Sequence, residues 1–123
     1  MPDPNFVILY VDNPPASAAF YADLFGHPIV DSAATFAMLP LREGVMLGLW
    51  AKAGVEPPSQ TKGGGAEIAI TVETPDAVRS THADWSARKL PIAQPVTKMD
   101  FGTTFVALDP DGHRIRVFAP GAA

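Results

Sequence analysis

Apolar residues arrive along the chain in short runs of two kinds. The runs FVILYV (6–11), VMLGLWA (45–51), TTFVAL (103–108) and RIRVFA (114–119) are rich in β-branched and aromatic residues and have strand length. The runs PASAAFYADLFG (15–26) and PDAVRSTHADWSARKL (75–90) instead space their apolar residues at helical intervals. Phe6 to Pro14, FVILYVDNP, aligns without gaps on Glu67 to Pro75, EIAITVETP. Each copy is a strand, then a capping residue (Asn13 or Thr74), then a proline suited to the first helical turn. The spacing predicts two equivalent strand-to-helix starts. It puts Ala16, Phe20 and Leu24 on the inward face of the first helix, with Gly26 as its stop, and Val78 and Trp85 on the inward face of the second.

Three short strand candidates follow each helix: PIVD, TFAML and VMLGLWA, then PIAQPV, TTFVAL and RIRVFA. Leu47-Gly48-Leu49-Trp50 matches Ile115-Arg116-Val117-Phe118 at the ends of the two halves, so each half reads β-α-β-β-β. Module one spans about 4–51, a Pro- then Gly-rich linker about 52–65, and module two about 66–120, within one domain of 1–123. The fold class is α+β.

In the last stretch, DPDGHRIRVF (109–118), a tight turn feeds a strand whose residues alternate. Ile115 and Val117 take one face and Arg114, Arg116 and Phe118 the other, because successive strand side chains point to opposite sides. Whether Arg116 is solvated or sits in a site is left open by the alternation alone. The same parity puts Met46, Gly48 and Trp50 on one face and Leu47 and Leu49 under the helices.

Composition narrows the partners. With 123 residues, 47% of them hydrophobic, the chain can bury a core, and a net charge of −4 disfavours nucleic acid, which selects a basic face. The absence of cysteine excludes disulfides and thiolate chemistry. No apolar run reaches the roughly 18–20 residues of a membrane span, and MPDPNF has neither a basic region nor a signal-like apolar segment, so a cytoplasmic location with no membrane partner is expected. There is no G-x-S-x-G elbow, no H-E-x-x-H and no phosphate loop after a strand; the glycines of KGGGAE precede one. His113 reads as structural or solvated, and His27 and His82 have no acid–base partner in sequence. Nothing here assembles a nucleophile or a catalytic base, and no cofactor is implied.

The two modules, with VDNPPASAAFYADLFG near the start and FGTTFVALDPDGHRIRVF near the end, resemble the vicinal oxygen chelate superfamily, which includes glyoxalase I, fosfomycin and bleomycin resistance proteins and extradiol dioxygenases. VMLGLW, FGTTF and DPDGHRIRV together are most similar to the phenazine-antibiotic resistance proteins, which bind the drug without destroying it. The resemblance implies concave mixed sheets with helices on their outer faces. It also implies a homodimer with two equivalent pockets shared between chains, and binding of a planar aromatic molecule. Metal-dependent members hold their ion with residues on the first and last strand of each module, and those places fall on Phe6, Gly48, Glu67 and Arg116. Only Glu67 among them can ligate, so no metal is expected.

In that geometry Glu67 and Arg116 face one surface, where the arginine fork suits a carboxylate, whether that of Glu67 or of a ligand. Trp50 is the stacking candidate, or else a plug at a dimer interface, and Met46 an adaptable wall. Phe36, Met38 and Phe101 line the pocket or merely pack. Tyr10 either offers its hydroxyl to a ligand or is satisfied in the core, and Trp85 is core. The expected function is metal-independent sequestration of a planar aromatic antibiotic. The alternatives are a glyoxalase-like lyase or dioxygenase-related enzyme, and a non-catalytic interaction domain. Transport conflicts with the lack of a membrane span.

Overall fold

The computed structural model describes residues 2–121. It divides into two compact units, Met1–Thr61 and Lys62–Ala123, with the boundary inside the segment read as a linker. The first unit holds β1 (Phe6–Val11), α1 (Pro14–Phe25), β2 (Asp31–Ser32), β3 (Phe36–Arg42) and β4 (Val45–Ala51), followed by a 3-10 turn at Lys52–Gly54. The second holds β5 (Glu67–Thr71), α2 (Pro75–Ala87), β6 (Ile92–Met99), β7 (Gly102–Leu108) and β8 (Arg114–Pro120).

Each unit is therefore a β-α-β-β-β module with a four-stranded mixed sheet, ordered β1-β4-β3-β2 in one and β5-β8-β7-β6 in the other. In both, the first strand runs parallel to the last, and the remaining pairs are antiparallel. The registers agree between modules. Phe6 stands opposite Met46 and Ile8 opposite Gly48, as Glu67 stands opposite Arg114 and Ala69 opposite Arg116.

The helices begin where the sequence places them. The Asn13 side chain accepts from the Ala16 N–H at 3.1 Å and Thr74 from the Ala77 N–H at 3.1 Å, and a proline opens each helix. Gly26 closes α1 in the left-handed conformation (φ 70°), where a side chain would be strained. The second helix stops at Ala87, short of the predicted Leu90. Arg88 caps it and Lys89 takes the left-handed turn (φ 67°) in place of a glycine.

The inward face of α1 differs from expectation. Pro14, Ser17, Ala18 and Tyr21 are buried, whereas Ala16 is exposed and Phe20 and Leu24 are half-buried. The small side chains of Ser17 and Ala18 let the helix lie close against β3 and β4, and the larger residues flank that stripe. Ser17 is the residue that the internal alignment sets against Val78, which is also fully buried. Trp85 is core as expected, with its ring edge-on to Phe105 at 5.5 Å.

Under the helices lie Ala37, Leu39, Leu47 and Leu49 in one module and Phe105, Ala107, Ile115 and Val117 in the other, all fully buried. The opposite face of each sheet carries no helix of its own module.

Gly102 has φ 140°, and a Cβ there would stand 2.0 Å from the Ala119 carbonyl oxygen across the β7–β8 ladder. Gly102→Ala is therefore expected to cost about 1–3 kcal/mol, as a lower denaturant midpoint at unchanged slope. A wild-type midpoint would show that the strand end relaxes freely.

Candidate functional site

The helix-free face of module one is built by strand parity. From β4 it receives Met46, Gly48 and Trp50, and from β3 Phe36 and Met38, which stand opposite Trp50 and Gly48. From β1 it receives Phe6 and Tyr10, the latter opposite Trp50. Tyr10 and Trp50 meet edge to face with centroids 6.3 Å apart, and Phe6 and Phe36 lie 6.4 Å apart, tilted. Gly48 makes that approach possible: a Cβ there would stand 2.7 Å from the Phe6 ring and 2.8 Å from the Phe36 ring. Two phenylalanine rings thus close over the last-strand position, and the surface that results is aromatic and methionine-rich.

Module two fills the same positions with polar groups. Glu67 takes the place of Phe6, Arg116 that of Gly48, and Thr104 that of Phe36. Arg116 Nε donates to Glu67 Oε1 at 2.8 Å and Nη2 to Oε2 at 2.9 Å, a bidentate fork reaching diagonally across the parallel pair. Its Nη1 donates to Gln94 Oε1 at 3.0 Å and to Thr104 Oγ1 at 3.1 Å, and the Thr104 hydroxyl in turn donates to the Val117 carbonyl at 2.9 Å. Phe101 stands with its ring centre 5.8 Å from the guanidinium carbon and edge-on to Phe118.

Arg116 is thus neither solvated nor open. Its side chain is 18% exposed and its fork is occupied by Glu67. The hydrogen bonds from Arg116, together with its charge and that of Arg114, hold the Glu67 carboxyl below the usual carboxylate range, burial opposing them in part. The same pair raises the Arg116 pKa. Because the folded-state pKa of Glu67 is depressed, the pair's contribution to stability is complete above the ordinary carboxylate pKa and is lost as pH falls through the lowered value. The stability difference between wild type and Glu67→Gln should be constant above about pH 5 and shrink on further acidification, read by urea unfolding across that range. A difference independent of pH down to acid unfolding would mean that the ion pair contributes nothing.

The structure brings the expected residues together as two sets, one per module: Trp50, Met46, Phe36 and Met38 in the first, Glu67, Arg116 and Phe101 in the second. Gln94 and Thr104 were missed. Thr104 was accessible to cross-strand parity from Phe118, but Gln94 was not, because the β6 register shifts on either side of it.

The histidines lie apart from this machinery. His27 Nδ1 donates to the Pro40 carbonyl at 2.7 Å, and His82 stands edge-on to Phe105. The glycines after Lys62 are not all spacer, since a Cβ on Gly63 would stand 2.8 Å from the His113 backbone nitrogen. A recess of about 370 Å³ lined by Asp12, Lys52, Val55, Glu56, Ser59 and Gln60 lies at the start of the connecting segment and shares no residue with either sheet face.

At the four positions that the resemblance implies for metal ligands, Phe6 and Gly48 supply no donor, and the one carboxylate, Glu67, is bound by the Arg116 guanidinium. Such a set does not fit a divalent cation. Among the described residues, no three His, Cys, Asp or Glu side chains converge, and no helix is long and apolar enough to cross a membrane.

Two β-α-β-β-β modules in equal register, with first and last strands parallel, narrow the choice of family, and residues 4–117 match the glyoxalase/bleomycin resistance protein/dioxygenase superfamily. The chain belongs to that superfamily. It is 31% identical over 118 residues to the phenazine antibiotic resistance protein EhpR of Enterobacter agglomerans, covering 93% of this chain and 89% of that one. An Agrobacterium tumefaciens protein solved by solution NMR is 47% identical, with a TM-score of 0.86 over 99% of this chain and 100% of the other. A glyoxalase-related enzyme from Fulvimarina pelagi, 20% identical over 97% of this chain and 88% of its own, shares the fold with a TM-score of 0.81.

Proposed function

We propose that the protein binds and sequesters a planar aromatic small molecule of the phenazine type, in a resistance role, without metal. The observation that carries this reading is the aromatic face of module one. Phe6 and Phe36 close over Gly48, where the family resemblance would call for a metal donor, and Tyr10 and Trp50 pair edge to face on the same sheet face. Such a surface offers stacking and apolar burial to a flat ring system, with Met38 and Met46 as adaptable walls. Likeness to the EhpR resistance protein, whose name gives the drug class, supports the same choice.

The working form in this reading is a cytoplasmic homodimer in which a second copy completes the ligand cavity. Supporting it, Phe6, Val7 and Ile8 are 42%, 41% and 44% exposed on both faces of β1, a strand at the edge of its sheet. Closed twofold pairing is also the commonest assembly of soluble chains.

Phenazine-1-carboxamide added at 100 times its dissociation constant should stabilise the fold by roughly 2.7 kcal/mol. It should then be recovered chemically unchanged after denaturation. Absence of any shift across a set of phenazines would remove the reading, and recovery of a converted product would replace it with catalysis. Light scattering at micromolar concentration should give a dimer mass; a monomer would leave the cavity without its second wall.

A further inference from the structure

Gly48 lies in the middle of β4, which is itself flanked by β1 and β3, so it stands at the centre of the helix-free face of module one. A glycine inside a strand weakens it, and the backbone gives no reason for one here, because the φ of Gly48 lies outside the left-handed region. The reason is steric. A Cβ on Gly48 would meet Phe6 Cε1 at 2.7 Å, Phe36 Cζ at 2.8 Å and Phe36 Cε2 at 3.3 Å. The far ends of two rings, reaching in from the strands on either side, fill the space that any side chain at this position would need. Phe6 is 42% exposed on edge strand β1, so an added Cβ would push ring tips aside rather than break the ladder.

Two aromatic pairs share this face. Phe6 and Phe36 meet over Gly48, and Tyr10 and Trp50 meet one alternation further along, Trp50 being the next residue of β4 on the same side. Phe36 belongs to both levels: it stands opposite Trp50 in the ladder, while its ring tip reaches Gly48. At the centre of β4 no side chain rises between the pairs.

We propose that Gly48 determines the size of aromatic ligand the protein accepts: by leaving the centre of the face without a side chain, it joins the two pairs into one aromatic surface, which three fused rings cover at once and two do not. The inference rests on the aromatic-ligand reading and deepens it by naming the extent of the ring system. Gly48 is itself buried, so it is a positioning residue that acts through the rings of Phe6 and Phe36.

The test uses the full chain at pH 7.5 and equilibrium dialysis against phenazine and against quinoxaline, which is phenazine less one benzo ring. Both are neutral, and the readout is the ratio of their affinities, from which any loss of folded protein cancels. Wild type should prefer phenazine by roughly tenfold or more. Gly48→Ala should lower that preference roughly fivefold or more, since it costs the larger ligand one aromatic contact.

The double variant Phe6→Leu, Phe36→Leu removes the ring atoms that a Cβ would meet, and it serves if Gly48→Ala does not fold. By itself it should lower the preference about as far. Adding Gly48→Ala to it should then change the ratio by less than about twofold, because residues that act through one another are not additive. A glycine needed only for the strand would act equally in both backgrounds. An unchanged ratio in Gly48→Ala, or in the leucine variant where only that one folds, or a full effect of Gly48→Ala in the leucine background, would overturn the proposal while leaving phenazine binding in place. If neither compound binds wild type, the aromatic-ligand reading falls and this inference with it.

Discussion

Trp85→Ala should lower the stability of the fold by about 3–5 kcal/mol, the range for truncating a large core aromatic. The residue is 5% exposed and, with Val78, is one of only two fully inward residues of α2. Its ring meets the edge of Phe105 at 5.5 Å, and Phe105 in turn is flanked by His82 at 5.2 Å and stands opposite Val117 on β8. Removing the indole leaves a void between helix and sheet. Its other walls are strand residues fixed in ladders, so the site cannot collapse without breaking backbone hydrogen bonds. Beyond the half-buried Ala77, Thr81 and His82, the rest of α2 is exposed, so little else anchors it. Guanidinium unfolding followed by circular dichroism measures the loss, and Trp85→Phe should recover part of it by refilling the void. A loss under about 1 kcal/mol, the typical effect of an ordinary substitution, would mean that α2 is held by something other than this ring.

That Trp85 is core could be read from the chain because a helix declares its inward face by spacing, and β4 and β8 declared theirs by alternation. The repeat was legible for a related reason. Strand, cap and proline must recur in order, and both side-chain caps form as that order requires. The inward face of α1 was not legible, because Ser17 and Ala18 are chosen for being small, and a hydrophobicity pattern favours the larger Phe20 and Leu24 instead. Close approach of helix to sheet is a tertiary demand that leaves only a weak mark in sequence. Likewise, the family resemblance put Glu67 and Arg116 on one face, but nothing in the sequence showed that Gln94 and Thr104 would take the other donors. The β6 strand that carries Gln94 departs from a regular ladder on both sides of it. The close contacts at Gly48 and Gly63 were equally hidden, since an isolated glycine reads as a break or a spacer until its neighbours are placed.

Trp50→Ala should weaken binding of a neutral phenazine by tenfold or more while barely changing stability, the reverse of Trp85→Ala. Trp50 is half-buried on the helix-free face of module one, and Tyr10 and Phe36 stand opposite it on the two neighbouring strands. Its loss leaves the layer of Leu47 and Leu49 beneath the helix intact, so folding should suffer by no more than about 1 kcal/mol.

For the ligand the balance differs. An aromatic side chain buries about 150–250 Å² when fully covered, so covering the remaining half at ~25 cal/mol per Å² is worth roughly 2–3 kcal/mol, and stacking adds about 0.5–1.5 more. Even with half of that offset by ordering the ligand, a factor of roughly ten to forty remains. Fluorescence gives a second readout. Trp50 is one of only two tryptophans in the chain and the other is sealed under α2, so a ligand stacked on Trp50 should quench emission in wild type, and the residual emission of Trp50→Ala should respond far less. Unchanged affinity in Trp50→Ala, with emission still quenched, would move the ligand off this face and onto groups nearer Trp85.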